Sequence, residues 1–451
     1  MDGSASQRSR RRLLADVAIA GVALLAACSG RSAPPPRATA TAVGATATTA
    51  RPVASLPSPI VTGGATSATT LTPTRTNATP VVTATVTPTP IATATPPATR
   101  ATPAELPSAT PFPSAARLAA YLEQVVTAQH FSGAVLVARD SLRFAGAYGL
   151  ADRAAGIPNT TATMFRLGSV TKQFTALAVL ILQQRRLLAV QDPVCRYLPE
   201  CPAAWAPITL AHLLTHTSGI PDYINSPGFA ATWPPKDATP EQLVAEFRDW
   251  PLDFAPGTRM QYSNSGYVLL GYMIERVSGM AYADFLQRAI FDPLGMSSSG
   301  FDTTAIRPGH AQGYYPDGTM PQPYAMSAIY AAGALYSTVG DMERWDAALA
   351  GARLVSPDLL QAMFTPHVPC PPPGSQGGCL LPTDAGYGYG WFIAHEPQGT
   401  LIYHVGHIDG YFSFNGLYPQ QRLHAIVLSN DEGADVLGIG RALAALALAA
   451  T

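Results

Sequence analysis

Ser169 and Lys172 stand three residues apart in residues 165–176 (FRLGSVTKQFTA), where a polar segment gives way to an apolar one. A lysine at i+3 overlies the same helical face as the serine, so its amine can draw off the hydroxyl proton and leave a nucleophile. Backbone N–H groups at a helix start add a fixed positive potential there. The following run 174–182, FTALAVLIL, is apolar on every side and predicts a helix buried all round, which would hold the serine rigidly. The structural alternative is a plain capped helix, since serine is common at helix starts.

Two further polar pairs have the same character. Tyr262 and Asn264 follow the turn 254–257 (FAPG) and precede a helix predicted over 266–277. A phenol and an amide on such a turn can face a cleft. His404 and Gly406 lie on a predicted strand, 401–406, where the glycine admits close approach of a ligand to the backbone. His212 and His216 are four apart, as in a zinc-binding helix, but Leu213 stands where that motif needs glutamate, and both read as packing histidines. The chain has no Gly-x-Ser-x-Gly elbow and no phosphate-cradling glycine loop.

The elements that must position these groups follow from periodicity. A helix at 116–129 and strands at 132–138 and 142–150 open the domain. Helical segments at 210–215, 241–248, 345–350 and 357–364 occupy the middle. Strands at 401–406, 410–418 and 423–429 and an alanine-rich helix at 435–450 close it. The expected fold is α+β: an antiparallel sheet built from both termini and flanked by helices, with a mostly helical subdomain inserted.

Before this domain the chain is of another kind. Arg8, Arg10, Arg11 and Arg12 precede an apolar stretch, 17–27, that ends Leu25-Ala26-Ala27-Cys28. That is a secretion signal, too short to remain as a spanning helix. Small residues directly before Cys28 resemble a bacterial lipobox, which implies a lipidated Cys28 and an extracytoplasmic protein anchored to the cell membrane. Residues 9–14 (SRRRLL) also resemble a twin-arginine export signal, so the export route stays open. Residues 29–112 are dominated by Thr, Ala and Pro and have no means of building a core. As a flexible coil they would hold their ends roughly 50 Å apart. We read three parts: a signal at 1–28, a stalk at 29–112 and a folded domain at 113–451.

Charge divides along the same line. Residues 1–112 carry nine Arg against Asp2, Asp16 and Glu105, so the acidic residues concentrate in the folded part of a chain whose net charge is −1. An acidic domain does not suit nucleic acid, which needs a basic face. Of five cysteines, Cys28 belongs to the lipobox, and the spacings of the rest favour two disulfides, Cys195 with Cys201 and Cys370 with Cys379. Each loop closure would contribute roughly 2–3 kcal/mol. A zinc site is the rival reading, but no Cys-x-x-Cys pair is present.

Ser169-x-x-Lys172, Tyr262-x-Asn264 and His404-x-Gly406, in that order, resemble the serine β-lactamase and penicillin-binding-protein family, in its class C-like branch. The resemblance continues through 208–223 (ITLAHLLTHTSGIPDY), 254–280 and the Pro-Leu-Gly-Met at 293–296, and so covers nearly all of 113–451. It implies a sheet flanked by helices, a helical second region and an active site between them. It also implies that Ser169 is acylated, that Lys172 and Tyr262 share the general-base work, and that Asn264 holds the substrate's acyl-side amide. His404 would stand on the strand lining the cleft, with the backbone N–H groups of Ser169 and His407 forming the oxyanion hole. The reaction implied is acyl transfer to water without a cofactor, on a small-molecule, peptide or ester substrate. Cell-wall peptidoglycan is among the partners within reach of a surface-tethered enzyme. One departure stands out: the family's lactamases carry Lys-Thr-Gly or a near equivalent where this chain has His404-Val405-Gly406, and Val405 has no hydroxyl for a substrate carboxylate. Esterase, D-amino-acid peptidase and DD-carboxypeptidase activities are the resulting expectation. A true class C-like β-lactamase and a non-hydrolytic binding or sensor module are the alternatives.

Overall fold

The computed structural model describes residues 110–449, apart from 130, 225, 227, 228, 230–236, 304, 324 and 372–378. Cys28, the signal and the stalk up to residue 109 lie outside the described residues. Thr110 and Pro111 form a short strand, β1, and Phe112 is buried, so the last residues assigned to the stalk pack on the domain.

Seven more strands complete the main sheet: β2 Gly133–Arg139, β3 Leu142–Tyr148, β4 Asp384–Tyr387, β5 Phe392–Glu396, β6 Gly399–Ile408, β7 Tyr411–Tyr418 and β8 Leu423–Ser429. Their order is β1-β3-β2-β8-β7-β6-β5-β4, and only β1 runs parallel to its neighbour. The two ends of the domain meet at β2 and β8, where Gly133 faces Ser429 and Arg139 faces Leu423. This is the α+β sheet from both termini that the sequence predicts. Strand β2 reads as an unbroken apolar run because both of its faces are covered. Ala134, Leu136 and Ala138 enter the core on one side, and Val135 and Val137 the core on the other.

Helices α1 (Ala115–Gln129) and α8 (Val436–Leu448) cover the second face. Helix α1 inserts Leu118, Leu122 and Val125, a spacing of one helical stripe. The insertion between β3 and β4 covers the first face and carries α2 (Thr171–Gln184), α3 (Leu210–Leu214), α4 (Pro240–Phe247), α5 (Asn264–Ser278), α6 (Val339–Ala350) and α7 (Pro357–Phe364). Helix α2 is buried at every position from Thr171 to Leu182, which is why its sequence has no polar stripe. Strands β4 and β5 are absent from the sequence-based expectation. Glycine interrupts the four-residue β4, β5 is only five residues long, and Gly388 and Gly390 lie in the turn between them.

Both favoured disulfides are present, Cys195 to Cys201 and Cys370 to Cys379. His212 and His216 separate in the structure. His212 completes a reciprocal cap at the start of α3, its Nδ1 accepting from Thr209 N–H and its own N–H donating to Thr209 Oγ1. His216 lies beyond the helix and turns into the interior.

Candidate active site

Ser169 lies in a single 3₁₀ turn, Gly168–Val170, immediately before α2. Neither the turn nor α2 has a side-chain cap, so the serine hydroxyl is not used in capping. Two glycines press this turn onto β6. Gly168 has φ +51°, and a Cβ there would fall 2.9 Å from His407 N. A Cβ on Gly406 would fall 1.9 Å from the Leu167 carbonyl oxygen, which also accepts from Ser413 Oγ at 2.7 Å. Gly406 therefore makes room for the protein's own nucleophile turn, where the sequence suggested room for a ligand. The same contact sets the backbone of His407 beside the Ser169 turn.

Lys172 is fully buried and its Nζ donates three hydrogen bonds: to Ser169 Oγ at 3.1 Å, to Asn264 Oδ1 at 2.8 Å and to the Ala332 carbonyl at 2.9 Å. Asn264, the first residue of α5, holds its amide in that sense because its Nδ2 donates to Asp222 Oδ2 at 2.9 Å. Burial lowers the Lys172 pKa from 10.5 to about 7, against a smaller opposing pull from Asp222. The partner set then fixes the chemistry. An amide oxygen and a carbonyl can only accept, so a neutral amine spends its two N–H groups on Asn264 and Ala332. Its lone pair is left facing Ser169, whose hydroxyl can donate.

Tyr262 is half-buried with its ring face toward Lys172, whose Nζ lies 4.7 Å from the ring centroid, and Tyr267 stands on another side at 5.4 Å. The structure thus brings Ser169, Asn264 and Tyr262 together around the Lys172 nitrogen. His404 departs from expectation. It is 1% exposed, sits inside the wall of the site, and its two ring nitrogens are occupied by the Val405 carbonyl (Nδ1, 2.6 Å) and Tyr387 Oη (Nε2, 3.0 Å). The first bond requires a proton on Nδ1, and in the neutral ring Nε2 is then the acceptor toward the tyrosine. Burial, and then the Lys172 charge, push its pKa down to about 3. The His407 side chain pairs with Glu432 at 2.9 Å and stacks on Phe412, while Glu432 also accepts from Gly410 N–H.

Sequence reasoning missed Asp222 and the place of His216 in the site, although its reading of His216 as a packing residue holds, and it missed Tyr387 and the Ala332 carbonyl. The signal available for the first two was the polar run 215–218 and the aspartate after Pro221, directly behind a short helix. Among the described residues the metal-type cluster is Cys370, Cys379 and Asp384, and there the two sulfurs are bonded to each other.

A serine bonded to a buried lysine at the start of a core helix, with a tyrosine ring over that lysine and an antiparallel sheet alongside, is the arrangement of a serine hydrolase. A family model described as Beta-lactamase matches residues 118–450, and the chain belongs to that family. It is 31% identical over 336 residues to penicillin-binding protein 4* of Bacillus subtilis (strain 168), covering 70% of this chain and 71% of the other. It is 37% identical over 227 residues to esterase EstB of Burkholderia gladioli, covering 47% and 57%. The crystal structure of D-amino acid amidase from Ochrobactrum anthropi SV3 aligns with a TM-score of 0.63 at 26% identity, covering 74% of this chain and 98% of the other.

Proposed function

We propose that this protein is an extracytoplasmic, membrane-tethered hydrolase of esters or amides, of esterase or D-amino-acid peptidase type. The observation that carries the chemistry is the threefold bonding of Lys172, which leaves a neutral amine with its lone pair on Ser169. Ser169 Oγ attacks the substrate carbonyl carbon and its proton passes to Lys172 Nζ. The carbonyl oxygen takes negative charge beside the backbone N–H groups of Ser169 and His407. The C–O or C–N bond breaks, and the leaving group receives that proton by way of Tyr262. Water then attacks the acyl ester, giving its proton back along the same route and releasing Ser169 and the acid.

Similarity to an esterase and to a D-amino acid amidase supports the substrate class. So does the neutral wall at His404 and Val405, which offers no cation or hydroxyl to a carboxylate. The signal ending at Cys28 supports the membrane tether, with peptidoglycan peptides within reach of the stalk. The test is covalent labelling of the full chain with a fluorophosphonate, followed by turnover of a short chromogenic ester, a D-Ala-D-Ala peptide and a cephalosporin. Wild type should label and turn over the ester or the peptide, and Ser169→Ala should do neither. Undiminished labelling of the variant would end this reading. A single burst without turnover on every substrate would mark a sensor instead.

A further inference from the structure

His216 is bound to the tyrosine side of the site at three points, and none of the chemical steps above uses it. Its backbone lies at φ +57°, in the left-handed region that a residue of this bulk rarely adopts. Its carbonyl accepts from Gln261 N–H at 2.9 Å, and its Nδ1 accepts from Ser263 N–H at 3.1 Å. The amides on either side of Tyr262 therefore both end on one residue. Its ring lies against the Tyr262 ring at 4.2 Å between centroids and 30° between planes, and is held from behind by Tyr267 at 5.1 Å and Tyr387 at 4.8 Å.

The left-handed turn is what lets one residue make all these contacts, because it aims the carbonyl and the side chain of His216 at the same neighbouring strand of chain. A backbone amide donating to Nδ1 puts the ring proton on Nε2, which is buried without a hydrogen-bond partner. The ionisable groups facing it are Lys172, His404, Tyr262, Tyr267 and Tyr387. Burial, and then the charge of Lys172 when it is protonated, hold the His216 pKa well below the ordinary imidazole range.

We propose that His216 is the positioning residue for Tyr262: an uncharged spacer that fixes the height and tilt of the phenol over Lys172 through Gln261, Ser263 and ring contact. This rests on the reading that Ser169, Lys172 and Tyr262 carry the reaction. Asparagine can supply the acceptor and tolerates the left-handed backbone, but lacks the ring. Alanine supplies neither.

The test is a kinetic cycle on a short chromogenic ester with the full chain, using His216→Ala, His216→Asn, Tyr262→Phe and each His216 variant combined with Tyr262→Phe. His216→Ala should lower kcat by ~100-fold with KM little changed, within the range for a misplaced acid-base group. His216→Asn should recover at least ~10-fold of that loss, and labelling of Ser169 should persist in every variant. In the Tyr262→Phe background the His216 substitutions should have no further effect on kcat. Equal losses in both backgrounds would make His216 an ordinary packing residue and overturn the proposal. Should the alanine variant fail to fold by thermal melting, the asparagine pair carries the same comparison. Wild-type kcat in Tyr262→Phe alone would overturn the catalytic reading itself, a result distinct from additivity.

Discussion

The pH dependence of acylation should carry the signature of Lys172. A base with a pKa of about 7 is half neutral at that pH, so kcat/KM should rise with slope one up to about pH 7 and then level. At pH 5 only about 1% of the plateau should remain. Holding the ammonium in its buried site is disfavoured by about 5 kcal/mol relative to water, at about 1.4 kcal/mol per pH unit. That preference also reaches stability. The unfolded chain keeps this proton up to about pH 10.5 while the folded chain releases it near 7, so between those values the unfolded state binds more protons. Wild type should therefore gain up to about 1.4 kcal/mol of unfolding free energy per pH unit across that window, with no contribution from this group below it. Lys172→Met lacks the group and orphans two buried acceptors, at about 1–3 kcal/mol each, so the two proteins should be similar near pH 7. The gap should then open in favour of wild type as pH rises. Asp222 raises the Lys172 pKa, so Asp222→Asn should move the acid limb to lower pH. Ester turnover between about pH 5 and 9 and urea melts over the stability window measure both effects. An acid limb near pH 10, or a stability gap that closes as pH rises, would refute the buried-base argument.

Gly406→Ala should lower thermal stability and slow Ser169 labelling by at least ~100-fold, because the new Cβ would meet the Leu167 carbonyl at 1.9 Å and displace the nucleophile turn; wild-type labelling rates would contradict that. Short-chain esters should exceed cephalosporins by at least ~10-fold in kcat/KM, a gap of only about 1.4 kcal/mol. Val405→Thr should narrow it, and a wild type that already prefers cephalosporins would sink the argument from Val405. Mass spectrometry of the membrane fraction should find a diacylglyceryl group on Cys28, and a soluble mature chain beginning elsewhere would exclude the anchor.

The pairing of Ser169 with Lys172 was legible because it is local. Ser169 and Lys172 share one helical turn, and an apolar run announced that the turn would be buried. Asn264 could be named from its spacing to Tyr262, but its partnership with Lys172 spans 92 residues and needed the fold. His216 was read as a packing histidine, and its burial among three tyrosine rings bears that out, but its place beside Tyr262 was not legible. Its spacing to His212 invited a comparison with metal helices, whereas its position is set by a left-handed backbone turn that no side-chain pattern reports. The error over Gly406 is of the same kind: a glycine in a strand says that something comes close, and only the tertiary structure says that it is Leu167. In the sheet, the four-residue β4 (DAGY) and the five-residue β5 (FIAHE) were missed because each is too short to show an alternation, while the longer apolar β8 was found.

The two histidines and the lysine around the tyrosine form a single electrostatic design. Both rings are neutral, one locked by the Val405 carbonyl and Tyr387 and the other by a backbone amide, so the mobile positive charge beside Ser169 is the Lys172 proton. A fixed cation in place of His404 would disfavour protonation of Lys172, by about 3 kcal/mol for two charges roughly 6 Å apart at an effective dielectric of about 20. The base would then stay neutral far into acid and become a weaker proton acceptor near neutral pH. With a neutral histidine in the wall, burial, opposed in part by Asp222, sets the Lys172 pKa at about 7, where it can both take and return a proton. On the proposed function, His404 in place of a lysine would have two consequences from one cause: the wall would hold no attraction for a substrate carboxylate, and Lys172 would keep a pKa of about 7, suited to turning over neutral esters and amides.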